Sequence, residues 1–244
     1  MSDALFLAPI GSAQVGTTVS VTGEEAHHAV VKRLQPGETV LLADGQGNAV
    51  RGEVLTSTKQ RLEVTVTQLV PQVRPQFTFT AVQALAKGER SELAVEMLTE
   101  VGVHRILAWQ AARSIVRWHG ERGQKALAKW RRAAREATKQ SRRALVPTVE
   151  SATTSQVAQA IAAADLALVL HEAAGHYIAE VGLPTAGSVV LIVGPEGGIA
   201  PDELAAFEAA GAQAISLGQA VLRTSTAGPV AVGQLQALAA RATA

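Results

Sequence analysis

Four apolar runs constrain this chain most: FTFTAVQAL (77–85), RILAWQ (105–110), DLALVL (165–170) and SVVLIV (188–193). A strand with one wet face alternates apolar and polar residues. These runs are apolar along most of their length, so both faces of each strand must be covered. The segments between them read as helices: ERSELAVEMLTEVG, a long stretch from about Glu121 to Arg142, Ser155–Ala163, a short helix after the third run, and a helix from Pro201. A further strand, AQAISL, and a terminal helix follow. Strands alternating with helices predict an α/β domain with a parallel sheet.

Residues 1–70 follow another pattern. TTVSVT, ETVLLAD, AVRGEVL and RLEVTVTQLV are short runs rich in Val, Thr and Leu, with a tight turn expected at Asp44–Asn48. GEEAHHAVVKRL reads as one short helix among them. Several short strands with turn signals predict a small β-barrel. The prolines of PQVRPQ place a linker at 71–75, giving domains 1–70 and 76–244.

Composition narrows the chemistry. Hydrophobic residues make up 48% of the 244 residues, enough for a sizeable core. There is no cysteine, which removes disulfides, thiolate nucleophiles and cysteine-ligated metal centres. No apolar run approaches the ~20 residues of a membrane span. The short apolar stretch near the N-terminus has no basic segment before it and does not read as a signal peptide. The expectation is a cytoplasmic protein with no membrane contact.

Net charge is only +1, but its distribution is uneven. Arg117–Arg143 holds ten Lys/Arg against two acids, whereas Ala144–Ala244 holds two against eight. On the long helix Leu127, Trp130, Ala134, Ala137 and Ser141 share one face by their three- and four-residue steps. Lys125, Lys129, Arg131, Arg132, Arg135, Lys139 and Arg142 lie on the rest, where like charges repel. A solvated face is one reading. A polyanion partner, gripped through its phosphates, is the other.

The run SVVLIV ends in GPEGG, and a helix starts soon after. Three glycines among Gly194–Gly198 cost backbone entropy. They imply a close approach or an unusual chain path. Lys and Ser/Thr are missing where a triphosphate needs them, and Glu196 repels a pyrophosphate, so this is neither a P-loop nor a dinucleotide fingerprint. A cationic or hydrogen-bond-donating ligand suits it better. Pro201, Asp202 and Glu203 are ordinary helix-start residues and Gly211 an ordinary helix stop. Downstream, SLGQAVLRTSTA carries a lone cation, Arg223, and a Thr-Ser-Thr run in which Thr224 or Ser225 can cap the last helix. Arg223 serves either a helix-start salt bridge or a ligand beside the glycine loop. HEAAGH spaces His171 and His176 five apart, not the four of a helical zinc pair. No metal site is expected.

LIVGPEGG followed by SLGQAVLRTSTA resembles the paired C-terminal motifs of SPOUT methyltransferases, and most closely the RsmE family, which methylates uridine N3 in 16S ribosomal RNA. HHAVVKRLQPGE, KGERSELAVEMLTEVGV and KWRRAAREATKQSRRALVPTV are similar to further ordered segments of that family. The chain departs from its usual LGxRILRTETA pattern at Ala220 and Ser225, and keeps Arg223 and Thr224. The resemblance implies a PUA-like N-terminal barrel, a C-terminal SPOUT domain with a deep trefoil knot, and a homodimer. It implies S-adenosyl-L-methionine as cofactor, with S-adenosylhomocysteine as product. The cofactor loops carried over are Leu170, His171 and Glu172; Val193, Gly194, Pro195, Glu196, Gly197 and Gly198; Ser216, Leu217 and Gly218; and Val221, Leu222, Arg223 and Thr224. Arg223 is the candidate stabiliser of the reacting base, and Glu196 a base or a brace. RNA contacts fall to His28, Lys32 and Arg33, to Lys87 and Arg90, and to Arg135, Lys139, Arg142 and Arg143. The partner implied is 16S rRNA within the small ribosomal subunit. The alternatives are a ribose 2′-O methyltransferase of the same fold and a non-catalytic RNA-binding or assembly protein.

Overall fold

The computed structural model describes residues 3–242. The chain divides into two compact units. One comprises residues up to 74 together with 138–146, and the other comprises 75–137 and 147 onward. Residues 138–146 therefore group with the N-terminal unit, although the linear reading places them within 76–244. Two main-chain bonds account for this: Gly47 N donates to Ala144 O at 3.1 Å, and Val146 N to Gly45 O at 2.9 Å. Leu145 also bridges Gly45 and Gln46.

The N-terminal unit is built on five strands: β1 (Ala4–Leu7), β2 (Thr18–Thr22), β3 (Thr39–Ala43), β4 (Ala49–Ser57) and β5 (Arg61–Val70). They form one sheet in the order β1-β3-β4-β5-β2. β1 pairs with β3 in parallel, and the other neighbours are antiparallel. The turn at 44–48 forms as expected, because Asp44 Oδ1 accepts from the amides of Gln46 and Asn48. Helix α1 (Glu24–Val31) buries Ala26 and Ala29, and Ala29 joins the core of Phe6, Val21, Leu42, Leu62 and Val64. Strand β1 was not expected. Its four residues are too few to show a period.

The second unit carries β6 (Phe77–Ala84), α2 (Arg90–Glu100), β7 (Arg105–Trp109), α3 (Gly120–Gln140, whose last turn belongs to the other unit), β8 (Thr148–Ala152) and α4 (Thr154–Ala162). It continues with β9 (Leu166–Leu170), a 3-10 turn (Ile178–Glu180), β10 (Gly187–Val193), α5 (Pro201–Ala209), β11 (Gln213–Ile215) and α6 (Thr224–Ala242). The six strands form one sheet, β11-β9-β10-β6-β7-β8, with every neighbouring pair parallel. β8 has no signature in the sequence, because it is an edge strand whose Thr148, Glu150 and Ser151 are exposed and most of it resembles loop.

Both faces are covered, as the apolar runs require. In β10 Val189 and Leu191 enter one cluster with Val95 and Leu98 of α2, Trp130 of α3 and Val232 of α6. Val190 and Ile192 point the other way, to Val157 of α4 and Phe207 of α5. Gly228 lets α6 lie close to the sheet, since a Cβ there would stand 3.0 Å from Leu98 Cδ2 and 3.2 Å from Val193 Cγ2. Among the described residues no helix is long and apolar enough to cross a membrane.

Candidate functional site

In an open parallel sheet, ligands bind beyond the carboxyl ends of the strands. Here three adjacent strands, β11, β9 and β10, end at one cavity of ≈ 350 Å³. Leu170, His171 and Glu172 leave β9 at its wall; Val193, Gly194, Pro195, Glu196 and Gly198 leave β10; Ser216, Leu217 and Gly218 leave β11. Val221, Leu222, Arg223 and Thr224, which lead into α6, complete it. Of the residues expected to hold the cofactor, only Gly197 lies outside the lining. Arg90, expected in an RNA surface, lines the cavity instead.

The glycine turn has internal causes. Gly198 N donates to Pro195 O at 2.9 Å, closing a turn after which Gly198 takes φ 74°, a conformation that favours glycine. A Cβ on Gly194 would stand 2.8 Å from Ile199 Cγ1, and one on Gly197 would stand 3.2 Å from Arg113 O. Both glycines therefore admit the protein's own atoms. Arg113 backs the turn a second time, its Nη1 lying 3.4 Å from Gly197 O. Arg113 is one of two arginines between β7 and α3, and nothing in its spacing ties it to residue 197.

Glu196 is exposed, and its Oε1 accepts from Lys87 N at 3.3 Å. This contact ties the loop after β6 to the glycine turn. Thr224 does not use its hydroxyl to cap α6. Arg223 O accepts the first helical bonds, from Thr226 N and Ala227 N, and Thr224 Oγ1 donates to Gly194 O at 2.9 Å. Arg223 itself is exposed on the cavity wall, and no acid pairs with it among the described residues. Of the two departures from the family pattern, Ala220 lines the cavity, whereas Ser225 is 2% exposed and does not.

The lining suits a ligand that is part apolar and part zwitterionic. Leu170, Val193, Ile199 and Leu222 offer apolar surface, Glu172 and Glu196 negative charge, Arg90 and Arg223 positive charge. The volume falls in the usual range for small-molecule sites. These groups fit S-adenosylmethionine, with its apolar-faced adenine, cationic sulfur and amino-acid end.

The expected RNA contacts are less uniform. Lys139 is buried, with Nζ 3.2 Å from Glu25 Oε1, so it does not present its charge to a phosphate. Its place in the last turn of a polar helix disguised this. Two more of the helix's cations are engaged by the protein itself: Lys129 pairs with Glu92 at 2.6 Å, and Arg131 Nε donates to Val149 O. Arg135 and Lys87 are exposed. Arg143 is half-buried, and burial pulls its guanidinium below the ordinary arginine range. His28 packs edge-on against Phe6 at 5.9 Å. Lys32, Arg33 and Arg142 are exposed. Arg33 (φ 57°) and Arg142 (φ 55°) are the two non-glycine residues with positive φ among those described. Each stands just past a helix: Leu34 N returns to Ala29 O after α1, and Arg143 N to Thr138 O after α3. Glycine usually fills that position.

Comparison with known proteins agrees with this geometry. Residues 73–236 match the model of an RNA methyltransferase domain, and residues 21–67 that of an RNA methyltransferase PUA domain. The chain is 47% identical to Ribosomal RNA small subunit methyltransferase E of Mycobacterium tuberculosis, over 93% of this chain and 88% of that protein. The Bacillus subtilis protein of the same name is 30% identical, covering 86% of each. The chain thus belongs to the ribosomal RNA small subunit methyltransferase E (RsmE) family of RNA methyltransferases. A crystal structure of the Neisseria gonorrhoeae member bound to S-adenosyl methionine superimposes with a TM-score of 0.86 at 28% identity, covering 97% of this chain and 98% of that one.

Proposed function

We propose that this chain transfers a methyl group from S-adenosylmethionine to N3 of one uridine in 16S rRNA, in the context of the small ribosomal subunit. The observation that carries the reading is the convergence of three strand-end loops and Arg223 on one cavity, in a chain so similar to proteins of that name. On this reading the protein is a cytoplasmic homodimer. Its N-terminal unit is a PUA-like barrel, and its C-terminal domain is a SPOUT fold threaded in a deep trefoil knot.

S-adenosylmethionine supplies the methyl as an electrophile when bound. The protein has three tasks. The strand-end loops hold the donor and acceptor in line. Uracil N3–H has no free lone pair until its proton leaves to solvent water, and the negative charge then spreads onto the flanking oxygens. Arg223 stabilises that charge from the cavity wall. Glu196, engaged with Lys87 N, braces the turn. N3 lies on the Watson–Crick edge, so the target base must be unpaired or turned out of its stack. Phosphates are held by Lys32, Arg33, Arg142 and Arg143, with His28 beside them in sequence, and by Lys87 and Arg135 of the other unit.

The test is nucleoside mass spectrometry of 16S rRNA after reaction, with free rRNA and purified small subunits as parallel substrates. 3-Methyluridine formed on subunits is the expected product. A ribose-methylated nucleoside, or none with either substrate, overturns the assignment. Arg223→Ala is expected to lower kcat about 100-fold or more while raising the dissociation constant for S-adenosylmethionine far less.

A further inference from the structure

Gln83, Thr224 and Gly194 form one hydrogen-bonded chain through the interior of the second unit. The two-residue period of β6 turns Phe77, Phe79 and Ala81 toward the cluster that includes Ala231 of α6, and Gln83 continues that side. It is fully buried and is not among the residues lining the cavity. Its Nε2 lies 2.9 Å from Thr224 Oγ1 and 3.3 Å from Ala84 O. Two acceptors around one nitrogen fix the orientation of the amide. A threonine hydroxyl has one proton. Since Oγ1 receives the Gln83 donor, that proton goes to Gly194 O, 2.9 Å away.

Gln83 Oε1, by contrast, is buried without a partner among the described residues. A buried orphan oxygen destabilises the fold. An apolar side chain of equal length would remove that penalty, so stability alone does not account for a glutamine here.

We propose that Gln83 is a positioning residue for the cofactor loops: by donating to Thr224 it directs the Thr224 hydroxyl onto Gly194 O, locking the start of α6 to the first peptide of the glycine turn. Gly194 and Thr224 both line the cavity, so the relay sets two of its walls from behind. The inference rests on the cofactor reading of that cavity.

The variant that tests it is Gln83→Met, which keeps length and apolar bulk and removes both polar atoms. The melting temperature is expected to stay level or rise. Affinity for S-adenosylhomocysteine, measured by calorimetry, is expected to fall about fivefold, the equivalent of one net hydrogen bond. Amide exchange at Gly194, Gly197 and Gly198 in the ligand-free protein is expected to quicken. Thr224→Val reads the relay from its other end and should show the same affinity loss, whereas Thr224→Ser, which keeps the hydroxyl, should recover most of it. If Gln83→Met binds as the wild type does with unaltered exchange, or if its affinity falls only as its melting temperature falls, the relay is overturned. A wild-type protein that does not bind S-adenosylhomocysteine overturns the cofactor reading instead; the exchange rates of the ligand-free variants still decide the relay.

Discussion

Lys139 Nζ lies 3.2 Å from Glu25 Oε1, and each side chain is 8% exposed. Glu25 Oε2 also accepts from Leu7 N. Removing one partner of a buried ion pair is strongly destabilising, by about 3–5 kcal/mol. Lys139→Ala should therefore lower stability in urea by about that amount. Replacing both, Glu25→Gln with Lys139→Met, should recover most of the loss. The salt dependence of RNA binding should not change with Lys139→Ala, because this lysine is occupied inside the protein.

Arg142 is the opposite case. Holding a residue with a Cβ in the left-handed region costs roughly 1 kcal/mol relative to glycine. Arg142→Gly should stabilise the protein by about that amount and raise its melting temperature by a few degrees. RNA affinity should fall, and the slope of log K against log salt should become shallower by about 1. Arg33→Gly should behave alike. Electrophoretic or fluorescence titrations at several salt concentrations provide the measurement, and unchanged RNA affinity would return both arginines to ordinary helix ends.

Glu196 separates brace from base by a conservative change. Glu196→Gln retains a carbonyl oxygen for Lys87 N, so as a brace it should keep turnover within about threefold of wild type. Glu196→Ala loses the contact and should fall further. Were the carboxylate the proton acceptor, Gln and Ala would be equally damaging, by about 100-fold.

Asp165 ties the start of β9 to the start of β10. Its Oδ2 accepts from Ser188 N at 2.7 Å and Ser188 Oγ at 2.8 Å. These bonds, the backbone one foremost, hold the carboxyl below its ordinary value of 3.8. The group is depressed in the folded state, so its contribution is present above the unfolded value and is lost as pH falls through the folded one. Asp165→Asn should lower stability at neutral pH, flatten the acid limb of the stability–pH curve below about pH 4 and converge on the wild type at still lower pH. An identical acid limb in the variant would show that other carboxylates govern it.

Much of this was legible in the chain. Period and apolar run length placed β6, β7, β9 and β10 as doubly covered strands, because burial on both faces leaves no polar alternation. Pro201 and Gly211 bracketed α5, because ring geometry and φ > 0 are local properties. The ordered motifs around GPEGG and LRTSTA identified the family and the loops that meet at the cavity. β1 and β8 stayed hidden, one too short and the other an edge with most of its residues in water.

Other features depend on partners distant in sequence. Glu25 and Lys139 lie 114 residues apart, Gln83 and Thr224 141, and Lys87 and Glu196 109. No spacing encodes such pairs. A lysine in a basic helix looks solvated until the fold supplies a carboxylate, and a glutamine in a strand looks incidental until a helix sets a hydroxyl over it. The GPEGG turn shows both sides. Its composition marks it as unusual because glycine relieves steric limits that are local to the chain. Only the tertiary structure decides what fills the space: Ile199 against Gly194, Arg113 against Gly197, and Lys87 N on Glu196.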